Sequence, residues 1–292
     1  MKLNKREKCP YCEETIFNKL YEISYDNKKM RDFLLNYYKN NQLLEMLKSD
    51  TYQLDQCKNC LGIFQKNIPN DSLNQFIYDD LISSVESFKK KITFKSDNFI
   101  KYYNDAKLIE KLLNKTNDQI KILEFGCGWG FWSKFMKMMN FNVETCEISS
   151  SRIEYLTKNN ILNHTNLDLI KNKYDLIFSD QVIEHVSQPY IVMKKLTHLL
   201  NSGGYMIHRF PSSRLFKSKL KKNYFPKKDC AHPLEHLNIY NKNCFLKIAD
   251  KLNLNKINLF FLKDLPLRQK FASIKNEILF NNIILKKRNI TF

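Results

Sequence analysis

The stretch KILEFGCGWGFW, residues 121–132, decides how the rest of the chain is read. The chain holds only six glycines. Three of them, Gly126, Gly128 and Gly130, alternate here, directly after an apolar run. Glycine permits positive φ and lets a ligand approach the backbone, so an apolar strand, a glycine turn and a helix in succession predict the ligand-binding corner of a doubly wound sheet. The spacing departs from the Gly-x-Gly-x-x-Gly of dinucleotide sites, because a single residue separates Gly128 from Gly130. Glu124 precedes the first glycine. A carboxylate there repels a pyrophosphate and suits a cationic or amine-bearing ligand.

Strand and helix patterns alternate from Gln119 onward. IKILEFG, FNVETCEIS, KYDLIFSDQVI and GGYMIHRF read as strands. WGFWSKFMKMM, SSRIEYLTKNN and QPYIVMKKLTHLL read as helices, the last with Pro189 near its first turn. A strand between Leu162 and Leu169 is expected but weak. Such alternation gives an α/β fold, a Rossmann-like doubly wound, mostly parallel sheet with helices on both faces. Upstream, NFIKYYNDAKLIEKLLNKTND has a helical repeat that predicts a helix lying against this sheet, and IPNDSLNQFIYDDLISSVESFKKK reads as helical linker.

Two Cys-x-x-Cys knuckles stand in the first sixty residues, Cys9 with Cys12 and Cys57 with Cys60. Two residues between thiolates make a tight turn that aims both sulfurs at one point. Two such turns supply a closed four-sulfur site for structural Zn2+. A thioredoxin-like redox pair would need one knuckle only. The 44 residues between the knuckles hold MRDFLLNYYKNNQLLEMLKSD, read as an inserted helix. The expected division is a four-cysteine zinc-binding domain at 1–66, a helical linker at 67–117 and the α/β domain at 118–292.

The balance of 48 basic against 30 acidic residues gives a formal charge of +18, which draws attention to acidic partners: nucleic acid, phosphorylated sugars or an anionic membrane surface. Lys accounts for 41 of the basic residues, beside abundant Asn and Ile, a pattern that nucleotide bias in a gene also produces. The polar start Met1–Arg6 does not read as a signal peptide, and no stretch approaches the roughly 18 apolar residues of a membrane span. A cytoplasmic protein is therefore expected, in which the eight cysteines serve as ligands or core residues rather than as disulfides.

LEFGCGWG resembles the cofactor loop of class I S-adenosylmethionine-dependent methyltransferases. The likeness continues in order along the chain. An acid, Glu147, follows the second strand, 21 residues after Gly126; DLIFSDQVIEHVSQP and HPLEHLNIYN resemble segments of the small-molecule and sugar branch, many of whose bacterial members carry an N-terminal Cys-x-x-Cys domain. The resemblance implies S-adenosyl-L-methionine as cofactor. Glu124 would then face the methionyl amine, Gly126, Cys127, Gly128 and Gly130 would carry the backbone past the cofactor, and Glu147 would grip the ribose. Asp180 and Gln181 would line the adenine–methionine side or the substrate mouth, and residues near Leu167 and Asp168 would flank the adenine.

Methyl transfer to a hydroxyl is helped by a base, and histidine suits that work near neutral pH. The candidates are His185, His232 and His236, with Glu235 as orienting partner and His236 preferred as base. Related sugar C-methyltransferases read Tyr-His-Glu-His where this chain has Pro233-Leu234-Glu235-His236. That difference turns the expectation toward O- or N-methylation of a small-molecule acceptor, a saccharide or nucleotide-linked sugar. The alternative is an RNA methyltransferase, for which the basic, aromatic stretch SRLFKSKLKKNYFPKK would be the binding face. Against it, strand four ends Ser179-Asp180-Gln181-Val182, without the Asn/Asp-Pro-Pro-aromatic motif of base-amine methylation, and no Pro-Cys or Thr-Cys nucleophile is present. A non-catalytic scaffold is the third reading, which the near-complete cofactor loop disfavours.

Overall fold

Isoleucine and leucine alternate at the heart of the α/β unit. Ile122 faces one helical layer and Leu123 the other, and both are fully buried. They belong to β6, Lys121–Phe125, an interior strand of a seven-stranded sheet. The structure is a computed structural model and describes residues 2–93, 96–221, 223–257 and 280–288. Lys222 of the basic stretch, and 258–279 and 289–292 of the expected α/β domain, lie outside the described residues.

The N-terminal part contains strands β1 (Leu3–Lys5), β2 (Phe17–Ser24), β3 (Thr51–Cys57), β4 (Ile63–Gln65) and β5 (Asn67–Pro69), with helices α1 (Lys28–Tyr38) and α2 (Asn41–Leu47) between β2 and β3. Helices α3 (Asp71–Phe76), α4 (Ser84–Ile92) and α5 (Ser96–Leu113) lead to the α/β unit. Beyond β6 follow α6 (Phe131–Met138), β7 (Asn142–Cys146), α7 (Ser150–Lys158), β8 (Asn163–His164), β9 (Tyr174–Asp180), α8 (Pro189–Leu199) and β10 (Leu200–Pro211). The remainder comprises α9 (Phe216–Leu220), β11 (Asn238–Ile239), α10 (Lys242–Lys251), β12 (Leu254–Ile257) and β13 (Phe280–Lys287).

The large sheet runs β12-β13-β10-β9-β6-β7-β8, and β13 lies antiparallel to both neighbours. The pairings of β6, β7, β8, β9 and β10 are parallel. Strand order reverses at β6, which has β7 on one side and β9 on the other. A crevice at the carboxyl ends of those strands is where a doubly wound sheet accepts a ligand. The expected α/β fold is therefore present. Helices α5 and α6 bury Ala106, Ile109, Trp132 and Phe135 on one face, while α8 and α10 bury Leu196, Phe245 and Ile248 on the other. The weak strand is two residues long.

The cysteine knuckles flank more than a single inserted helix. Lys39 takes a left-handed φ of 53°, and the Asn40 side chain accepts from the Leu43 N–H, so one helix ends and another begins. The strands β2 and β3 then pair antiparallel around them. The smaller sheet does not stop at residue 66. Its order is β11-β4-β3-β2, so Asn238 pairs with Phe64 and Ile239 with Ile63. Residues Phe216, Tyr224, Ala231 and Leu234 share a core with Met30, Leu34, Tyr52 and Leu54. The segment 67–117 likewise holds β5, paired with β1, beside its helices.

Candidate functional site

Gly126 leaves β6 with φ +70°, and a Cβ placed there would lie 2.5 Å from both Val182 methyls, so the turn requires glycine twice over. Its N–H donates to Cys146 O at 2.8 Å, which fastens the loop to the end of β7. Gly128, at φ +59°, borders open space: an added Cβ would meet nothing within 4 Å. Gly130 completes the turn into α6, and Cys127, half-buried, has its thiol pushed up by burial.

Two buried acids flank this opening. Glu147 is 6% exposed, and its carboxylate accepts from the N–H groups of Gly128 (2.9 Å), Ile148 (2.9 Å) and Ser149 (3.0 Å). Arg152 Nη1 stands 3.6 Å from the same carboxylate. Glu124 accepts from the Ser133 hydroxyl at the start of α6, and burial pushes its carboxyl up to about 8. Burial outweighs the Ser133 bonds and the charge of Lys91, which favour the ionised form.

Asp180 ends β9 opposite them. Burial opposes its charge, but Lys101 at 2.7 Å and Arg209 at 3.8 Å outweigh burial and hold it below the usual carboxylate range. Gln181 adopts φ 59° and donates its N–H to Arg209 O at 2.8 Å. Arg209 in turn makes two hydrogen bonds to Asp105 of α5, at 2.8 and 2.5 Å. Helix α4 lies over the glycine loop. Phe88 packs on Trp129 at 4.7 Å between ring centroids and on Tyr155 at 5.1 Å, and Trp129 Nε1 donates to Ser87 Oγ at 3.3 Å. The segment expected to be linker thus helps to build the crevice. Leu167 and Asp168 sit in a short 3-10 turn after β8.

The four proposed acid–base residues converge. His185 and His236 have ring centroids 4.9 Å apart, and His232 and His236 5.8 Å. Glu235 orients His232, whose Nδ1 is 3.4 Å from its Oε1, and accepts from Tyr38 at 2.8 Å. Burial alone would raise the Glu235 carboxyl, but the bonds from His232 and Tyr38 hold it at about 2. The preferred base, His236, is oriented instead by a backbone carbonyl: Nδ1 lies 2.5 Å from Asp229 O. A carbonyl only accepts, so the proton sits on Nδ1 and Nε2 keeps a lone pair. His185 Nδ1 is likewise 3.0 Å from Glu235 O, with the Tyr78 hydroxyl also at 3.0 Å. Burial and the neighbouring histidines push His236 down to about 3.

The sequence reading gave no role to Glu184, Tyr38, Tyr78, Gln65 or Arg152. Glu184 is 1% exposed, and neither of its carboxylate oxygens has a hydrogen-bond partner among the described residues. Its place in the quoted IEHV segment was the one signal available for it.

Cys9, Cys12, Cys57 and Cys60 are buried, with their sulfurs within 4.8 Å of one another. Cys9 Sγ lies 3.6 Å from Cys60 Sγ, and Cys12 Sγ 3.5 Å from Cys57 Sγ. Tetrahedral zinc thiolates at about 2.3 Å per bond place sulfurs roughly 3.8 Å apart, so this donor set fits the ion. Cys146, Cys230 and Cys244 are buried and outside the four-sulfur set, although Cys244 packs beside it, close to Gly62 just after the second knuckle.

Residues 97–259 match the protein family described as Methyltransferase domain. A ubiquinone biosynthesis O-methyltransferase of Rickettsia bellii (strain OSU 85-389) is 33% identical over 111 residues, 34% of this chain and 46% of the relative. Malonyl-(acyl-carrier protein) O-methyltransferase 2 of Ilyobacter polytropus is 25% identical over 181 residues, 56% of this chain and 66% of the relative. The matched region thus spans about half the length of the first of these relatives. Among solved structures, the plantazolicin methyltransferase BpumL in complex with a pentazolic desmethylPZN analog and SAH superposes with a TM-score of 0.54 at 14% identity, over 74% of this chain and 95% of that one. BamL, its counterpart with a triazolic analog and SAH, gives 0.51 at 12% identity over the same shares. At these identities the likeness is one of fold. The family match takes in more than half of the chain, including the glycine loop, Glu147, Asp180 and the segment carrying His236, and this chain belongs to the Methyltransferase domain family.

Proposed function

We propose that the chain is an S-adenosylmethionine-dependent methyltransferase acting on a small molecule, a saccharide or nucleotide-linked sugar, at oxygen or nitrogen. One observation carries the reading: the open space beside Gly128 lies at the sheet's switch point between two buried acids. Glu147 stands where ribose hydroxyls would be held, and Glu124 where a methionyl ammonium would restore its charge. The relatives named for O-methylation of ubiquinone precursors and of malonyl-(acyl-carrier protein) support small-molecule acceptors.

The cofactor supplies a methyl group on a sulfonium. The chain aligns the acceptor with it and disposes of the acceptor's proton. His236 is the group placed to receive that proton, because Asp229 O holds its ring in the tautomer that leaves the Nε2 lone pair free. Asp180 and Gln181 line the mouth. Residues 1–66 act as a zinc-bearing scaffold, 67–117 as cover and 118–292 as the transferase unit. Cysteines that hold zinc rather than pair as disulfides suit the reducing cytoplasm. No helix among the described residues is long and apolar enough to cross a membrane.

The nucleic-acid reading is weakened by the aromatics of the basic stretch. Two of its three aromatics, Phe216 and Tyr224, are 2% and 9% exposed and pack in the core of the small sheet, which leaves only the half-buried Phe225 for base stacking. A transfer assay with methyl-labelled cofactor against nucleotide sugars, free saccharides and RNA tests the reading. Label in a sugar supports it. Label in RNA alone overturns the acceptor assignment.

A further inference from the structure

We propose that Glu184, His185 and His236 form a second metal centre, a two-histidine, one-carboxylate site for a divalent transition-metal cation on the acceptor side of the crevice. The three residues come from two distant parts of the chain: the 3-10 turn after β9 supplies the first two and the segment before β11 the third. One donor atom from each lies within 4.8 Å of the others, and His185 Nε2 is 3.9 Å from Glu184 Oε1. Bonds of about 2.1 Å from nitrogen and oxygen to a first-row ion need separations of roughly 3–4 Å, so the three side chains close on an ion by small rotations.

The surroundings favour ligation. The Nδ1 of each imidazole stands within hydrogen-bond distance of a backbone carbonyl, His236 of Asp229 O and His185 of Glu235 O, with the Tyr78 hydroxyl also 3.0 Å from His185 Nδ1. Metal-bound histidines are fixed in this way, which sets the tautomer and leaves Nε2 free for the ion. Glu184 gives an independent sign. Its two oxygens are buried and have no donor among the described residues. Removing a carboxylate from water without a partner is costly, and a cation in the gap supplies the missing one. The nearby guanidinium of Arg152 is directed to Glu147 rather than to Glu184.

The donor set also names the kind of ion. Two nitrogens and one oxygen suit Mn2+, Fe2+ or Zn2+, whereas Ca2+ and Mg2+ prefer all-oxygen shells. Three protein ligands leave positions open, unlike the closed cysteine site. Resting on the methyl-transfer reading of the crevice, the ion replaces His236 in the work of activation: His236 becomes a ligand, and the ion binds the acceptor's hydroxyl oxygen so that its proton leaves to solvent water.

The test adds Mn2+ to the purified full-length protein, with zinc left at the cysteines, and follows free Mn2+ by electron paramagnetic resonance. Thiolates do not exchange zinc for this harder ion, so the proposal expects one Mn2+ bound per chain. Glu184→Gln and His236→Gln should each weaken binding more than about tenfold, with zinc content and circular dichroism unchanged. Should one variant fail to fold, the other and the unaltered protein still decide. No uptake of Mn2+, Fe2+ or added Zn2+ by the unaltered protein, or Mn2+ uptake indifferent to both substitutions, overturns the site. S-adenosylhomocysteine binding is measured in parallel. Mn2+ bound without it leaves the metal site standing and removes the methyl-transfer reading; the reverse removes the metal site alone.

Discussion

The side-chain amide of Gln65 donates to the backbone carbonyls of both His232, at 2.9 Å, and His236, at 3.0 Å. The same residue accepts from the Leu234 N–H at 3.3 Å. Gln65 ends the strand that follows the second cysteine knuckle, so the metal-binding unit directly holds the backbone of the histidine segment. Tyr52 adds a bond from its hydroxyl to Ala231 O, and Arg6 one to Leu237 O at 3.0 Å.

Gln65→Leu should therefore act at a distance. Removing the amide leaves buried carbonyls unpaired, which costs about 1–3 kcal/mol of stability. Methyl transfer should fall at least about tenfold, because a shift of an ångström in the histidines is enough for that, while S-adenosylhomocysteine affinity stays within about twofold. Urea midpoints and titration calorimetry check the two halves.

Zinc removal should show the same coupling. Cys60→Ser or exhaustive chelation is expected to loosen β4 first and then β11, which pairs with it. Amide hydrogen exchange should lose protection at 63–65 and 231–239 together, while β6 and β9 keep theirs. Equal loss throughout the large sheet would show that the units do not open separately.

The glycines allow a paired comparison. Gly126→Ala adds a Cβ 2.5 Å from both Val182 methyls at positive φ, and should destabilise the fold by more than the roughly 1 kcal/mol of a left-handed alanine. Gly128→Val meets no protein atom within 4 Å of its Cβ. Beyond the left-handed strain it should leave the fold intact and abolish cofactor binding. Thermal melts and calorimetry of both variants separate packing from occupancy.

Glu124 gives a pH signature. Its carboxyl titrates near 8 in the folded chain, raised by burial, and near the ordinary 4.5 when unfolded. Between those values the folded state holds the extra proton, so this group makes stability fall as pH rises, and only below about 4.5 is its contribution fully present. A cationic ligand reverses the preference and expels the proton. Cofactor affinity should then increase from pH 6 toward 8, and Glu124→Gln should flatten that slope. Calorimetry in buffers of different ionisation enthalpy reads the released proton directly.

The α/β unit was legible because its signals are local. A short continuous apolar run marks Ile122 and Leu123, buried on opposite faces of the sheet, and three alternating glycines mark the turn. The cysteine set was legible because its chemistry fixes its spacing. The links between units were not. β11 has two residues, too few to carry a pattern, and it pairs with β4, about 170 residues earlier in the chain. The partner of Glu235 also depends on packing: Tyr38 lies 197 residues away in sequence and reaches it only because α1 packs against the histidine segment. Glu184 was read as part of a motif, and its lack of partners is visible only once its surroundings are in place.

The central claim is that the crevice beside Gly128 takes a sulfonium nucleoside, and titration calorimetry of the zinc-replete protein with S-adenosylhomocysteine tests it most directly. One site per chain is expected, with affinity reduced at least about tenfold by Glu147→Ala, which removes the group facing the ribose. No binding to folded protein, or binding that Glu147→Ala and Gly128→Val both leave unchanged, would contradict it.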